Sequence, residues 1–264
     1  MSATPIPRTY ALTIYGDMDI SIIKTKPEGR KEVRTYLKSF REMKSLLTMM
    51  LEELKSGHQI YAVSPLIEAG EDDSMMDATT LKSKLEIAFK SQVPIGLLHG
   101  RMKPEEKDRV MQQFKDGEIR ILVSTTVIEV GVDVPNATMM IIMNAERFGL
   151  ATMHQLRGRI GRNSFESKCI LVSDKSTKRL NVLVESSDGF YISEEDFKMR
   201  GEGDLFGVRQ SGDMVFKLAN LKTDARLLTN ANVDSHEFIE QNKDNLFEDY
   251  PLYRKIQESL MHLD

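Results

Sequence analysis

A single cysteine, Cys169, is all the thiol that the 264-residue chain holds, so no internal disulfide can staple it. It lies in the apolar run "CILVS" and reads as a small buried hydrophobe in a reduced, cytosolic protein. Excess positive charge is missing too. Against 36 lysines and arginines stand 40 aspartates and glutamates, giving a net charge of −4, so any nucleic-acid contact must be local. No apolar run reaches the roughly 18 residues of a membrane span. The N-terminus lacks the charged and then apolar pattern of a signal peptide, so a cytoplasmic location without membrane contact is expected. The 5 histidines are scattered and the cysteine has no ligand partner at metal-site spacing, which leaves no metal cluster to expect. Internal repeats and low-complexity segments are also absent. What remains, 41% hydrophobic and 29% charged, is the composition of a globular protein with one substantial core and a smaller appendage.

Short apolar runs alternate with helical patterns from about residue 59. "QIYAVSPLI" (59–67), "IGLLHG" (95–100), "RILVSTT" (120–126), "TMMIIMNA" (138–145) and "KCILVS" (168–173) read as buried strands. Residues 40–57 place Leu46, Leu47, Met50, Leu51 and Leu54 at helical spacing and stop at Gly57, a C-terminal cap. Residues 102–118 repeat the grammar with Pro104 in the first turn, Val110, Met111 and Phe114 on one face, and Gly117 at the end. Strands that are nearly all apolar, alternating with helices, argue for an α/β fold with a parallel sheet covered on both faces. The first 35 residues break this pattern: 10–23 alternate like an exposed strand pair and 24–37 form a charged connector. After about residue 190 the strand grammar ceases and a mainly helical region begins. The expected division is a linking segment over 1–35, an α/β domain over 36–175 and a helical region over 176–264.

The stretch "QLRGRIGRN" (155–163) sets Arg157, Arg159 and Arg162 among two glycines. It is either a solvated helix face or a clamp for polyphosphate, since guanidinium is a permanent, planar, bidentate donor and glycine lets the backbone come close. Together with "STTVIEVGVDVPNA" (124–137), it is expected to lie past the carboxyl ends of strands, where open parallel sheets gather ligands in a crevice.

"SATPIPRT" (2–9), "LLHGRM" (97–102), "STTVIEVGVDVPNA" and "HQLRGRIGRN" (154–163) resemble, in order and spacing, the later motifs of superfamily 2 helicases. "RGEGDLFGVRQSG" (200–212) resembles the translocation motif of the RecG-type enzymes, and the whole chain resembles their C-terminal part. The resemblance implies a RecA-like parallel-sheet sandwich, the helicase C-terminal domain, with a mainly helical C-terminal extension. It implies ATP and Mg²⁺ as cofactors, both held mainly by a first motor domain, with Arg159 and Arg162 as catalytic fingers. Gly131, Asp133 and Gln155 would line the nucleotide side, and so would Glu129, for which a capping or solvated carboxylate is the alternative. His99, Gly100, Arg101, Ser124 and Thr125 would face DNA, although His99 alone is equally a structural residue. Ser2, Ala3, Thr4, Arg179, Arg200, Arg209 and Gln210 would couple hydrolysis to movement, while "KMRGEGD" also reads as a simple cap and turn.

The sequence contains no G-x-x-x-x-G-K-[ST] loop to cradle phosphate and no acidic Mg²⁺ box. The reading that follows is a second motor domain starting just inside the domain-linking motif, inactive alone. Its partners would be a first motor domain and a wedge domain of the same polypeptide, and branched DNA, meaning stalled forks and Holliday junctions. Two rival classes are a non-enzymatic helicase-like nucleic-acid or protein adaptor and a small self-contained nucleotide-binding protein, the latter weakened by the missing loop.

Overall fold

The computed structural model describes residues 31–65, 77–125, 133–200 and 225–242. The expectations for Ser2, Ala3, Thr4, Glu129, Gly131, Arg209 and Gln210, and for the strand pair at 10–23, fall outside these residues. Six strands form one sheet: β1 (Val33–Lys38), β2 (Gln59–Val63), β3 (Ile95–Leu98), β4 (Ile121–Ser124), β5 (Ala137–Met143) and β6 (Ser167–Val172). Their order is β1-β6-β5-β2-β4-β3, and every neighbouring pair is parallel. All carboxyl ends therefore lie along one edge of the sheet and all amino ends along the other. The described residues divide into two compact units, one reaching from 31 through 200 and the other holding the helix over 225–241.

Alternation along each strand sorts the core into two layers. Ile60, Ala62, Ile121, Val123, Ile141 and Ile170 face helices α1 (Met43–Lys55) and α2 (Ala78–Ala88). Tyr61, Val63, Leu122, Met140, Ile142 and Leu171 face the opposite layer, built from α3 (Pro104–Lys115), α4 (Leu150–Arg157), α5 (Lys178–Glu185) and α6 (Gly189–Arg200). Because strands are buried on both sides, their sequence reads as unbroken apolar runs. Local signals set the helix ends. The Asp77 carboxylate accepts from the Thr80 amide at 2.8 Å to open α2. Pro104 opens α3, and Gly57 and Gly117, at φ of +86° and +81°, follow α1 and α3.

Two features depart from the expected division. Val33–Lys38, read as connector, is a sheet strand in register with β6 from Val33↔Ser167 to Lys38↔Val172. It is an edge strand, so Arg34 and Tyr36 stay exposed and the run is less apolar than the inner strands. Helices α5 and α6, read as part of a separate helical region, bury Leu180, Leu183 and Ile192 in the same core as Tyr61 and Leu171. They belong to the unit that contains the sheet.

An ionic clamp joins these two helices. Glu195 on α6 takes Lys178 of α5 at 3.1 Å and Lys198 at 2.8 Å. The hydrogen bonds from Lys198 and Lys178 hold its carboxyl below the ordinary value. A depressed folded-state pKa means that the stabilisation is present above the unfolded carboxylate value and is lost as pH falls through the folded one, on the acid side of the ordinary carboxylate range. Thermal melts across that acid range are expected to show a steeper loss for the wild type than for Glu195→Gln; parallel curves would remove the clamp's contribution.

Candidate nucleotide and nucleic-acid sites

The sheet's carboxyl edge carries the residues expected to face DNA. Leu98 pairs with Ser124 in register, so the turn after β3 and the end of β4 lie side by side, and the Thr125 amide donates to the Leu98 carbonyl at 3.2 Å. His99, Gly100, Arg101, Ser124 and Thr125 are thus brought together. The turn is tied down from beneath: Lys107 donates to the Gly100 carbonyl at 3.0 Å, and the His99 amide donates to the Met102 sulfur at 3.4 Å. Gly100 and Arg101 are exposed, and the buried His99 Nδ1 has no protein partner. Ser124 is different. It is fully buried and its hydroxyl donates to the Thr125 carbonyl at 2.7 Å.

The arginine stretch occupies the opposite edge. Strands β4, β5 and β6 run parallel, so each connection between them must travel back the length of a strand before the next begins. Helix α4 makes that return after β5 and delivers residues 158–163 beside the amino ends. Three contacts fix the position. A Cβ on Gly161 would lie 2.5 Å from Val33 Cγ2, at the start of β1. The Asn163 side chain donates to the Pro135 carbonyl, just ahead of β5. Arg162 Nη1 meets Asp133 Oδ1 at 3.0 Å, and Arg162 Nε donates to the Gly158 carbonyl at 3.2 Å. The expected shared crevice at the carboxyl ends is therefore corrected: Asp133 and the arginines share one edge, while Ser124 and Thr125 lie at the other.

The three arginines of "QLRGRIGRN" divide by burial. Arg157 is 4% exposed and closes α4, whereas Arg159 is half-exposed and the Arg162 side chain is 28% exposed. The charges of Arg159, Arg162 and Asp133 all act on Tyr61 of β2, whose phenol burial pushes up to about 12 against the pull of the two arginines. Tyr61 thus lies within electrostatic reach of all three. Gln155 is half-buried on α4, so the stretch is half helix and half loop and not a turn throughout. Arg179 donates to the Phe148 carbonyl at 3.4 Å. Arg200 ends α6, its side chain outside the described residues. Cys169 is completely buried and its thiol is pushed up to about 12 by burial, as a structural cysteine should be. Among the described residues there is no metal-ligand cluster, and no helix is long and apolar enough to cross a membrane.

Residues 40–164 match the helicase conserved C-terminal domain, and residues 186–262 match the C-terminal part of domain 3 of the ATP-dependent DNA helicase RecG. A Streptococcus pneumoniae ATP-dependent DNA helicase RecG is 48% identical over 235 residues, 88% of this chain and 35% of the relative. The chain belongs to the RecG family. A Staphylococcus aureus RecG is 44% identical over 269 residues, 99% of this chain and 39% of the relative. A solved RecG bound to a three-way DNA junction, 45% identical, superposes with a TM-score of 0.68 over 86% of this chain and 30% of that one. The chain thus spans little more than a third of its curated RecG relatives. The sheet is the RecA-like helicase C-terminal fold, and the region specific to RecG starts at Ser186, on the turn between α5 and α6.

Sequence reasoning gave Arg157 no role of its own and assigned none to Asn136 within the 133–136 strip. Asn136, which binds the Gly57 carbonyl at 3.0 Å and the Gln59 side chain at 3.2 Å, fastens that strip to β2. A polar residue immediately before an apolar strand was the available signal.

Proposed function

We propose that the chain is the second motor domain and adjoining C-terminal region of an ATP-dependent helicase that remodels branched DNA, stalled forks and Holliday junctions. The observation that supports this reading best is the separation of two groups on one sheet: Asp133, Arg159 and Arg162 along the amino edge, and the His99–Arg101 turn with Thr125 along the carboxyl edge. Thr125 and Asp133 are only eight positions apart in the sequence, so the two groups are closely linked along the chain.

The amino-edge group fits a nucleoside triphosphate. Half-exposed guanidiniums suit the phosphates, and the exposed Asp133 carboxylate suits a sugar hydroxyl. ATP, when bound with Mg²⁺ by a first motor domain, supplies the phosphoanhydride whose hydrolysis drives the cycle. This chain's own task is narrower: Arg159 and Arg162 meet the charge that grows on the phosphate, and Gln155, Gly131 and Glu129 line the same cleft. At the other edge, the exposed Gly100 and Arg101 backbone and side chain hold DNA through phosphate, which requires no base reading. Ser2, Ala3 and Thr4 join the motor domains, and Arg179, Arg200, Arg209 and Gln210 carry motion outward within 176–264.

Joining the chain to the preceding part of the Staphylococcus aureus RecG relative tests the reading. The chain alone is expected to hydrolyse no ATP above background, because fingers act only on a positioned substrate. The joined polypeptide is expected to hydrolyse ATP when DNA is present and to unwind a three-way junction. Turnover by the chain alone, or a folded chimera that binds junctions without hydrolysis, would favour a self-contained nucleotide-binding protein or an adaptor respectively.

A further inference from the structure

Among the arginines of "QLRGRIGRN", Arg157 is the buried one, and its guanidinium has four partners. Its Nη1 donates to Thr35 Oγ1 at 3.2 Å, to the Leu183 carbonyl at 2.8 Å and to the Ser186 carbonyl at 2.9 Å, while Nη2 donates to His154 Nδ1 at 3.1 Å. These acceptors sit on β1, at the end of α5, on the turn before α6 and on α4 itself. Burial draws the guanidinium pKa below its ordinary value, and the oriented acceptors around Nη1 and Nη2 offset the cost of removing that charge from water.

The position gives these bonds a direction. Arg157 is the last residue of α4, next to the loop that carries Arg159 and Arg162. Its acceptors Leu183 and Ser186 close α5, and Ser186 is the first residue of the region that matches RecG domain 3. We infer that Arg157 is a positioning residue that latches the base of the arginine loop to the start of the RecG-specific region, so that the two move as one body. A planar fork with several fixed acceptors has few alternative arrangements, which is what a rigid link requires. The link reaches α6 through the backbone of 186–189 and needs no contact with nucleotide or DNA. Its mechanical use rests on the motor reading above; its existence does not.

Two measurements separate those levels. In the chain itself, Arg157→Met fills similar space but leaves the Leu183 and Ser186 carbonyls without their donor. Hydrogen exchange is expected to accelerate on the order of tenfold or more at both 158–163 and 186–192, with β2 and β5 unchanged. Equal acceleration across the sheet would mean general destabilisation, and an increase at only one of the two segments would mean that they are not latched; either overturns the proposal. In the chimera, Arg157→Lys keeps the charge but loses the fork. Junction unwinding should fall on the order of tenfold further than kcat for ATP, so that the unwinding obtained per ATP hydrolysed drops whatever the change in kcat itself. A parallel fall of both, or retained unwinding, overturns the link. A wild-type chimera without ATPase would instead refute the motor reading and leave the exchange result standing.

Discussion

Replacing Arg159 or Arg162 by alanine in the chimera should lower ATP turnover by about a thousandfold while junction affinity changes less than about threefold. The size follows from when the guanidiniums act. A cation that meets charge developing on the transferred phosphate stabilises the transition state more than the ground state, so its loss appears in kcat more than in binding. The small change in DNA affinity follows from where they sit, on the amino edge, with the turn at Gly100 and Arg101, proposed to hold DNA, on the carboxyl edge. Arg162 already has Asp133 at 3.0 Å, so in the free protein it is partly neutralised and must exchange that partner for phosphate. Asp133→Asn should therefore raise affinity for inorganic triphosphate modestly through Arg162. Loss of DNA binding equal to the loss of turnover, measured by steady-state ATPase beside junction titration, would move the arginines to the nucleic-acid side.

The strands of the core were legible because parallel sheets buried on both faces leave unbroken apolar runs, as in "CILV" and "MMIIM", that have no other good environment. Edge strand β1 was not, since an edge needs only one paired side and can be as charged as "VRTYLK". Helix α2 was missed for a related reason: only Ala78, Leu81 and Leu85 are buried, and Ile87 is 78% exposed, so its periodicity is faint. The residue types of the candidate site are visible as motifs, and the edge they occupy follows from connectivity. Parallel strands oblige each connection to return to the starting edge, which carries "GRIGRN" away from the carboxyl ends. What no pattern carries is the division of labour among the arginines. Arg157, Arg159 and Arg162 are chemically identical in the sequence, and only the packing of β1 and α5 around the first makes it a strut.

Gly161→Ala is expected to depress turnover in the chimera on the order of a hundredfold without touching a single guanidinium. Gly158 and Gly161 both read as places where backbone approaches phosphate, yet their surroundings differ. Gly158 has φ of −66°, which any residue adopts, and a Cβ there would meet the Gln155 carbonyl at 3.2 Å. Gly161 has φ of +69°, a left-handed conformation that costs a side-chain-bearing residue roughly 1–2 kcal/mol. Its added Cβ would also stand 2.5 Å from Val33 Cγ2, inside van der Waals contact. The close approach at Gly161 is thus to β1 and not to a ligand. Since Ile160 next to it is buried in the core, the loop has few ways to give, and the strain must be relieved by moving Arg159 and Arg162. Displacement by about an ångström is enough to cost on the order of a hundredfold in rate. The two contributions can be separated. Val33→Ala removes the clashing methyl but not the backbone strain, so the double variant Val33→Ala/Gly161→Ala should recover part of the turnover, whereas Val33→Ala alone should cost only stability, about 1–2 kcal/mol by thermal melt. Full activity in Gly161→Ala, or no recovery in the double variant, would show that the loop is free to move away from β1 and that its position is set elsewhere.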